Sequence, residues 1–345
     1  MQKTGIEYLD YTWNPMAMRC TPCSPGCEHC WHLRMADRLK DNPKLDMDER
    51  FAFAGDGYPF LLRMKELEAP LRLKKPAVIG VQFMGDLFHE DVPFEFQLKA
   101  YWAMAKEVRH TFIILTKRPK IMAEFIEQWE TRARTYDDDC DLSLPNVWHG
   151  LTVCNQPELD AKIEDFLRVQ GKKFISYEPA LGAVDFSPYL PTKDMCARCG
   201  WIPLEGMQRY LSIHGAGAQC VRCKDILPNA SIDLIIAGGE TGPGARPLHP
   251  EWVRSVRDQC AAAGVPFFFK QWGEWIPISQ QGNGDDPGCS DYPGYAKAER
   301  CVLQLNGEVI DAWPKGAMLM RRVGHKAAGR LLDGREWNEL LWKEA

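Results

Sequence analysis

Long apolar runs are missing from this sequence: no stretch of about eighteen apolar residues occurs, the length a bilayer span requires. The first residues also lack the charged-then-apolar pattern of a secretory leader, so the chain is expected to be soluble and cytoplasmic, with no membrane partner. An excess of one charge is missing too. Lys and Arg total 42 against 47 Asp and Glu, a net charge of -5. No global positive field gathers nucleic acid, and any such contact has to rest on a local patch. Cysteine, by contrast, is abundant, with 13 residues. Reducing compartments keep thiols free, so this abundance points to metal rather than to disulfides. A 45% hydrophobic content over 345 residues suffices for one large α/β domain or two smaller ones.

Eight of the cysteines fall in two tight groups. The first is Arg19 to His32, RCTPCSPGCEHCWH, with Cys20, Cys23, Cys27 and Cys30 inside eleven residues. Cys23, Cys27 and Cys30 read C-x3-C-x2-C, three thiolates for an iron-sulfur cluster with one iron left open. Recruiting Cys20 as well would close the site, as a four-thiolate zinc site or as a four-cysteine cluster. The second group, Cys196-Ala-Arg-Cys199 and Cys220-Val-Arg-Cys223, has the spacing of a zinc-ribbon site that holds structure. An auxiliary iron-sulfur cluster is the alternative there, and His214 is not needed as a ligand.

Around these groups the chain alternates short apolar strands with helices. Strands are expected at Ile6 to Trp13, Ala77 to Phe83, Thr111 to Leu115, Val147 to Val153, Lys173 to Ser176, Ile232 to Ala237 and Pro266 to Phe269. Helices are expected at Trp31 to Leu39, Phe94 to Val108, Ile121 to Ala133, Glu158 to Val169 and Glu251 to Ala263, with residues 41 to 75 as a helical crossover turning at 55 to 59. This rhythm means a parallel sheet with right-handed crossovers. The expected fold is α/β, a partial (β/α)6-type barrel of parallel strands with a small four-cysteine, zinc-ribbon-like insert and a C-terminal extension. Barrel core occupies 1-191, with the cysteine loop at 19-32, and 231-275; the insert is 192-230 and the extension 276-345. Asp86, Lys117, Arg118, Asn155, Glu178, Glu240 and Lys270 all fall at or just past expected strand ends, the mouth where a barrel collects its functional groups.

Less regular stretches remain. Asp137 to Asp139 read as a solvated loop, and Gln280 to Gly294 as a polar, Gly-rich loop. Cys301 to Leu305 and Glu308 to Trp313 read as a hairpin turning on Asn306-Gly307, and Trp337 to Trp342 as a last helix. Arg321, Arg322, His325, Lys326 and Arg330 form a basic patch, either a solvated face or a phosphate contact.

The C-x3-C-x2-C run resembles the signature of the radical S-adenosylmethionine superfamily. TGIEYLDYTWNP, FMGDLFHEDVP, ILTKRP, YEPALG, AGGETGPGARP, FFFKQWGEW and VGHKAAGRLLDGREW resemble a phage-associated family of largely unassigned, radical-SAM-like proteins. That family spaces its cysteines C-x6-C-x2-C, which selects Cys20 with Cys27 and Cys30, where the superfamily spacing selects Cys23; the third ligand stays open. The resemblance implies a 4Fe-4S cluster whose fourth iron is chelated by S-adenosylmethionine, with Zn2+ in the insert. Met84-Gly85-Asp86, in place of the commoner Gly-Gly-Glu, is then expected to meet the cofactor. Asn155 and Gly238-Gly239-Glu240 are further cofactor candidates. Glu178, Lys270 and Lys117 are the catalytic candidates, and Arg118 and Arg246 are expected to bind an anionic group of the substrate. The implied partners are a reductant such as flavodoxin or ferredoxin and a nucleotide or nucleic-acid substrate. One version is rearrangement of an amino-acid-decorated thymine in phage DNA, an isomerase reaction in the host cytoplasm. The competing expectation is a non-enzymatic, zinc-stabilised scaffold that binds nucleic acid or protein.

Overall fold

The computed structural model describes residues 1–55, 60–133, 144–191, 210–213, 217–220, 226–227, 232–280, 299–312 and 314–342. Its chain order is β1 Gln2–Lys3, β2 Tyr11–Trp13, β3 Met16–Met18, α1 Trp31–Leu39, α2 Met47–Ala54, β4 Phe60–Leu62, α3 Met64–Leu67 and β5 Val78–Val81. There follow α4 Phe94–Lys106, β6 Thr111–Thr116, α5 Pro119–Ala133, β7 Val147–Thr152, α6 Gln156–Leu167 and β8 Lys172–Tyr177. An insert carries β9 Tyr210–Ile213, β10 Gly217–Cys220 and β11 Ile226–Leu227. Then come β12 Leu234–Gly238, α7 Pro250–Ala263, β13 Phe267–Gln271, β14 Trp275–Pro277, β15 Arg300–Leu303, β16 Val309–Ile310, β17 Met318–Arg322 and α8 His325–Ala328.

The large sheet has the order β1-β2-β5-β6-β7-β8-β12-β13. Every pair from β2 onward is parallel, and only β1 joins antiparallel. The molecule is therefore a mixed α/β protein whose sheet is mostly parallel. Strands β5, β7 and β12 are buried at every position, as parallel strands covered on both faces must be. Alternate residues divide between two cores, because successive side chains point to opposite faces. Ile79, Phe112, Ile114, Leu151, Ile175 and Ile235 pack with the helices. Val78, Ile113, Trp148, Phe174, Leu234 and Phe268 form a second, smaller cluster with Tyr8, Leu9, Leu340 and Trp342.

That second cluster shows that the sheet curls. Tyr8, just ahead of β2, meets the ring of Phe268 on β13 at 5.9 Å, whereas β2 and β13 would stand roughly 29 Å apart in a flat sheet at the usual strand spacing. Trp342 closes the gap. Its ring packs 5.0 Å from Trp148, 5.5 Å from Phe174 and 6.3 Å from Tyr8, and its Nε1 donates to the Tyr8 carbonyl at 3.2 Å.

Several elements differ from the sequence expectation. The strand expected from Ile6 is confined to Tyr11–Trp13, because Leu9 N bonds Ile6 O in a turn that sends both Tyr8 and Leu9 inward. The 41–75 crossover is not all helical, since β4 pairs antiparallel with β3. No helix forms at 337–342: Asn338 bridges Phe268, and the Trp337 carbonyl accepts from Phe269 N at 3.0 Å. Covering the outer edge of β13 outweighs local helix preference there. The Asn306-Gly307 hairpin forms as β15 and β16, within a four-stranded sheet of order β14-β17-β15-β16. In the insert, β9, β10 and β11 form an antiparallel sheet. Cys196, Cys199, Cys223, His214, the 137–139 acidic run and residues 281–294 lie outside the described residues, and Cys220 is described only as the end of β10. Among the described residues no helix is long and apolar enough to cross a membrane.

Candidate functional site

The cysteine loop lies across the C-terminal ends of the parallel strands. It leaves β3, turns through a 3-10 helix at Pro25–Cys27 capped by the Ser24 hydroxyl, and enters α1 at Trp31. A Cβ on Gly26 would stand 2.9 Å from Cys154 Sγ and 3.1 Å from Pro179 Cδ, so only glycine lets the loop lie this close to the ends of β7 and β8.

Arginines strap this loop down. Arg118, at the end of β6, donates to the Thr21 carbonyl at 3.1 Å, reaches Cys20 Sγ at 3.9 Å and pairs with Glu90 and Asp86. His89 meets the Thr21 hydroxyl at 3.0 Å. Arg246, beyond β12, holds both oxygens of buried Glu240, and with its remaining N–H groups bonds Glu28 at 2.8 Å and the Pro25 carbonyl at 3.0 Å. Arg34 joins the His29 carbonyl at 2.8 Å to that of Thr241 at 3.3 Å. Arg118 and Arg246, the expected substrate binders, are thus committed to holding the loop.

Beneath the loop lies a cavity of about 240 Å³. Cys20, Cys23, Cys27 and Cys30 all line it, together with Gly85, Asp86, Lys117, Glu178, Gly239, Glu240 and Lys270. Strands β5 through β13 therefore contribute their ends to one space. Met84, Asn155 and Gly238 do not line it. The Met84 N–H donates to Asn14, Asn155 caps α6 by accepting from Glu158 N, and Gly238 leaves room for Glu178 Oε1. Gly239 has a packing reason as well, since a Cβ there would fall 1.9 Å from the Trp272 carbonyl oxygen. Asp86 is saturated: it accepts from the Thr116 hydroxyl at 2.8 Å, Phe88 N at 2.9 Å, Lys117 N at 3.2 Å and Arg118 at 3.4 Å. Its carboxylate ties the end of β5 to that of β6.

The electrostatics of the cavity separate its thiols. A hydrogen bond from Cys23 holds the Cys27 thiol down to about 5 against burial, with Lys117 assisting. Cys23 is pushed up by the same bond and by burial. Burial raises Cys20 to about 11, and burial with Glu158 raises Cys154 to about 12. Burial alone would lower the Lys117 ammonium, but Cys27, Cys30, Cys154 and Asp86 hold it above the usual lysine value. Across the cavity Lys270 pairs with Glu178 at 3.1 Å and lies 5.6 Å from the centre of the Tyr8 ring, and the Ser176 hydroxyl donates to Glu178 at 3.3 Å. Sequence reasoning missed Tyr8, Arg34 and His89. None of them carries a spacing signal, and their roles follow from the curl of the sheet and the path of the loop.

Cys20, Cys23, Cys27, Cys30, Cys154, Cys260 and Cys301 are free. Among the described residues no three His, Cys, Asp or Glu side chains gather as a single metal ion would require. A tetrahedral ion draws its sulfurs to about 2.3 Å from one centre, whereas a cubane cluster takes each cysteine on a different iron and spreads them wider. Four free thiols facing one cavity fit the latter in kind.

Fold and site together define a parallel-sheet α/β protein with a thiol-lined cavity at its strand ends. Over residues 3–341 the chain matches the family described as "Protein of unknown function (DUF5131)", and it belongs to that family. No curated protein and no solved structure matches it.

Proposed function

We propose that the protein is a radical S-adenosylmethionine enzyme built on a partial (β/α)6-type barrel. The observation that carries this reading is the convergence of Cys20, Cys23, Cys27 and Cys30 on the same cavity as the ends of β5, β6, β8, β12 and β13. Parallel strands that collect polar groups at their C-terminal ends and curl until Tyr8 meets Phe268 support the barrel. Three of the four cysteines would hold a 4Fe-4S cluster, whose chemistry would be one-electron reductive cleavage of S-adenosylmethionine to methionine and a 5'-deoxyadenosyl radical, with the electron coming from the external donor. The chain's own residues position and shield. Arg118, His89, Arg34 and Arg246 fix the loop, while Tyr8 lines the cavity and is backed by Trp342. Glu178 and Lys270 present a charge pair to whatever enters, and Gly85, Gly239 and Glu240 line a wall that would face the cofactor. Zinc in the 192-230 insert, a flavodoxin- or ferredoxin-type electron donor and a nucleotide or nucleic-acid substrate belong to the same proposal. The mild net acidity leaves a small nucleotide and DNA equally compatible.

Anaerobic reconstitution with iron and sulfide, followed by reductant and S-adenosylmethionine, tests it. Brown protein that releases 5'-deoxyadenosine is expected. Colourless protein containing only zinc would return the chain to the scaffold reading.

A further inference from the structure

The basic side chains around the cavity differ in how they are used. Arg118 and Arg246 are held by carboxylates and by carbonyls of the cysteine loop, and Lys270 by Glu178. The Lys117 ammonium has no ion pair among the described residues. It reaches the cavity half-buried from the end of β6, where the backbone N–H groups of Lys117 and Arg118 are fastened by Asp86 and the Thr116 hydroxyl. Asp86 offers it little, because both carboxylate oxygens are already filled. Cys27 and Cys30 line the same cavity as Lys117. These two thiols are common to both cysteine spacings, so the relation holds whichever of Cys20 and Cys23 is the third ligand.

We infer that Lys117 is the charge-balancing residue for the Cys27 and Cys30 thiolates and thereby sets the reduction potential of the cluster proposed at the loop. This rests on the radical S-adenosylmethionine reading. A fixed cation beside a cluster stabilises the form that has gained an electron, and net charge near the sulfurs is one of the terms that sets such potentials. Lys117 is therefore a positioning and tuning residue, not one that touches the reacting carbon. Its place under the loop, half out of water, keeps solvent screening of that charge small.

The test is a redox titration of the full-length, anaerobically reconstituted protein, followed by electron paramagnetic resonance with iron counted per chain. Lys117→Gln is expected to move the midpoint to more negative potential at unchanged iron content, and Lys117→Arg to hold it near the parent value. An unmoved midpoint in Lys117→Gln at equal iron would overturn the inference. Should Lys117→Gln fail to take up iron, Lys117→Arg decides: cluster with the parent midpoint supports the charge role, and loss of cluster in Lys117→Arg also sinks it. If the parent protein itself assembles no cluster, the radical reading fails first, visibly and before any midpoint exists, and the inference falls with it.

Discussion

Arg246 commits its whole guanidinium to the protein. Two N–H groups grip Glu240, which is buried, and others reach Glu28 and Pro25 in the cysteine loop, so one side chain spans a strand end and the loop above it. Breaking a fully buried ion pair costs about 3–5 kcal/mol because the surviving charge is left unpaired. Arg246 keeps 29% of its side chain in solvent, so Arg246→Ala is expected to cost less, about 2–3 kcal/mol. Hydrogen exchange is the more direct measure. Amides of residues 24 to 30 are expected to lose protection in Arg246→Ala while the strands keep theirs; unchanged loop protection would show that the strap does not hold. The sequence places Arg246 near the site but does not show the strap it forms. A strand-end arginine looks the same whether it awaits an anion or grips a loop, and the difference lies in Glu28 and Pro25, more than two hundred residues away in the chain.

Elements show the same division between what is local and what is not. Trp31–Leu39 is a helix with the bounds its spacing implies, and the β6, β7, β8, β12 and β13 strands stand within a residue or two of theirs. Those patterns are legible because both faces of a parallel strand are apolar and each crossover helix carries its own stripe. The 337–342 segment is not, since Trp337 and Trp342 could as well mark a helix face as a wedge. Trp342 is the wedge: it fills the space between Tyr8, Trp148 and Phe174. Trp342→Ala is expected to cost about 3–5 kcal/mol in urea denaturation, the range for truncating a large buried aromatic. A cost below about 1 kcal/mol would mean that the segment lies outside the cooperative core.

At the scale of the whole molecule, buried histidines contribute to the loss of stability in acid. His149 on β7 stacks on Tyr101 of α4 at 6.0 Å, and burial, with Lys173 of β8 nearby, pushes its pKa down to about 3. Above the ordinary histidine value of 6.5 both states are neutral at this group and it has no effect. As pH falls from there toward 3 the unfolded chain takes up a proton that the native state refuses, and stability drops by up to about 1.4 kcal/mol per pH unit. His149→Phe keeps the stacked ring and removes the titration. Between pH 7 and pH 5 the parent is expected to lose about 2 kcal/mol more than the variant in urea denaturation. Parallel pH profiles would contradict this. His32, pushed down to about 4 by burial beside the cysteine loop, adds to the same acid sensitivity.

The central proposal is that the strand ends hold an iron centre with a position open to S-adenosylmethionine. Quantifying 5'-deoxyadenosine released by oxygen-free, iron- and sulfide-loaded protein after addition of reductant and S-adenosylmethionine tests it most directly. Release in step with iron content, abolished by Cys27→Ala and by Cys30→Ala, is the expected result. Protein that carries a full complement of iron yet releases none, or releases as much without Cys27 and Cys30, would contradict it.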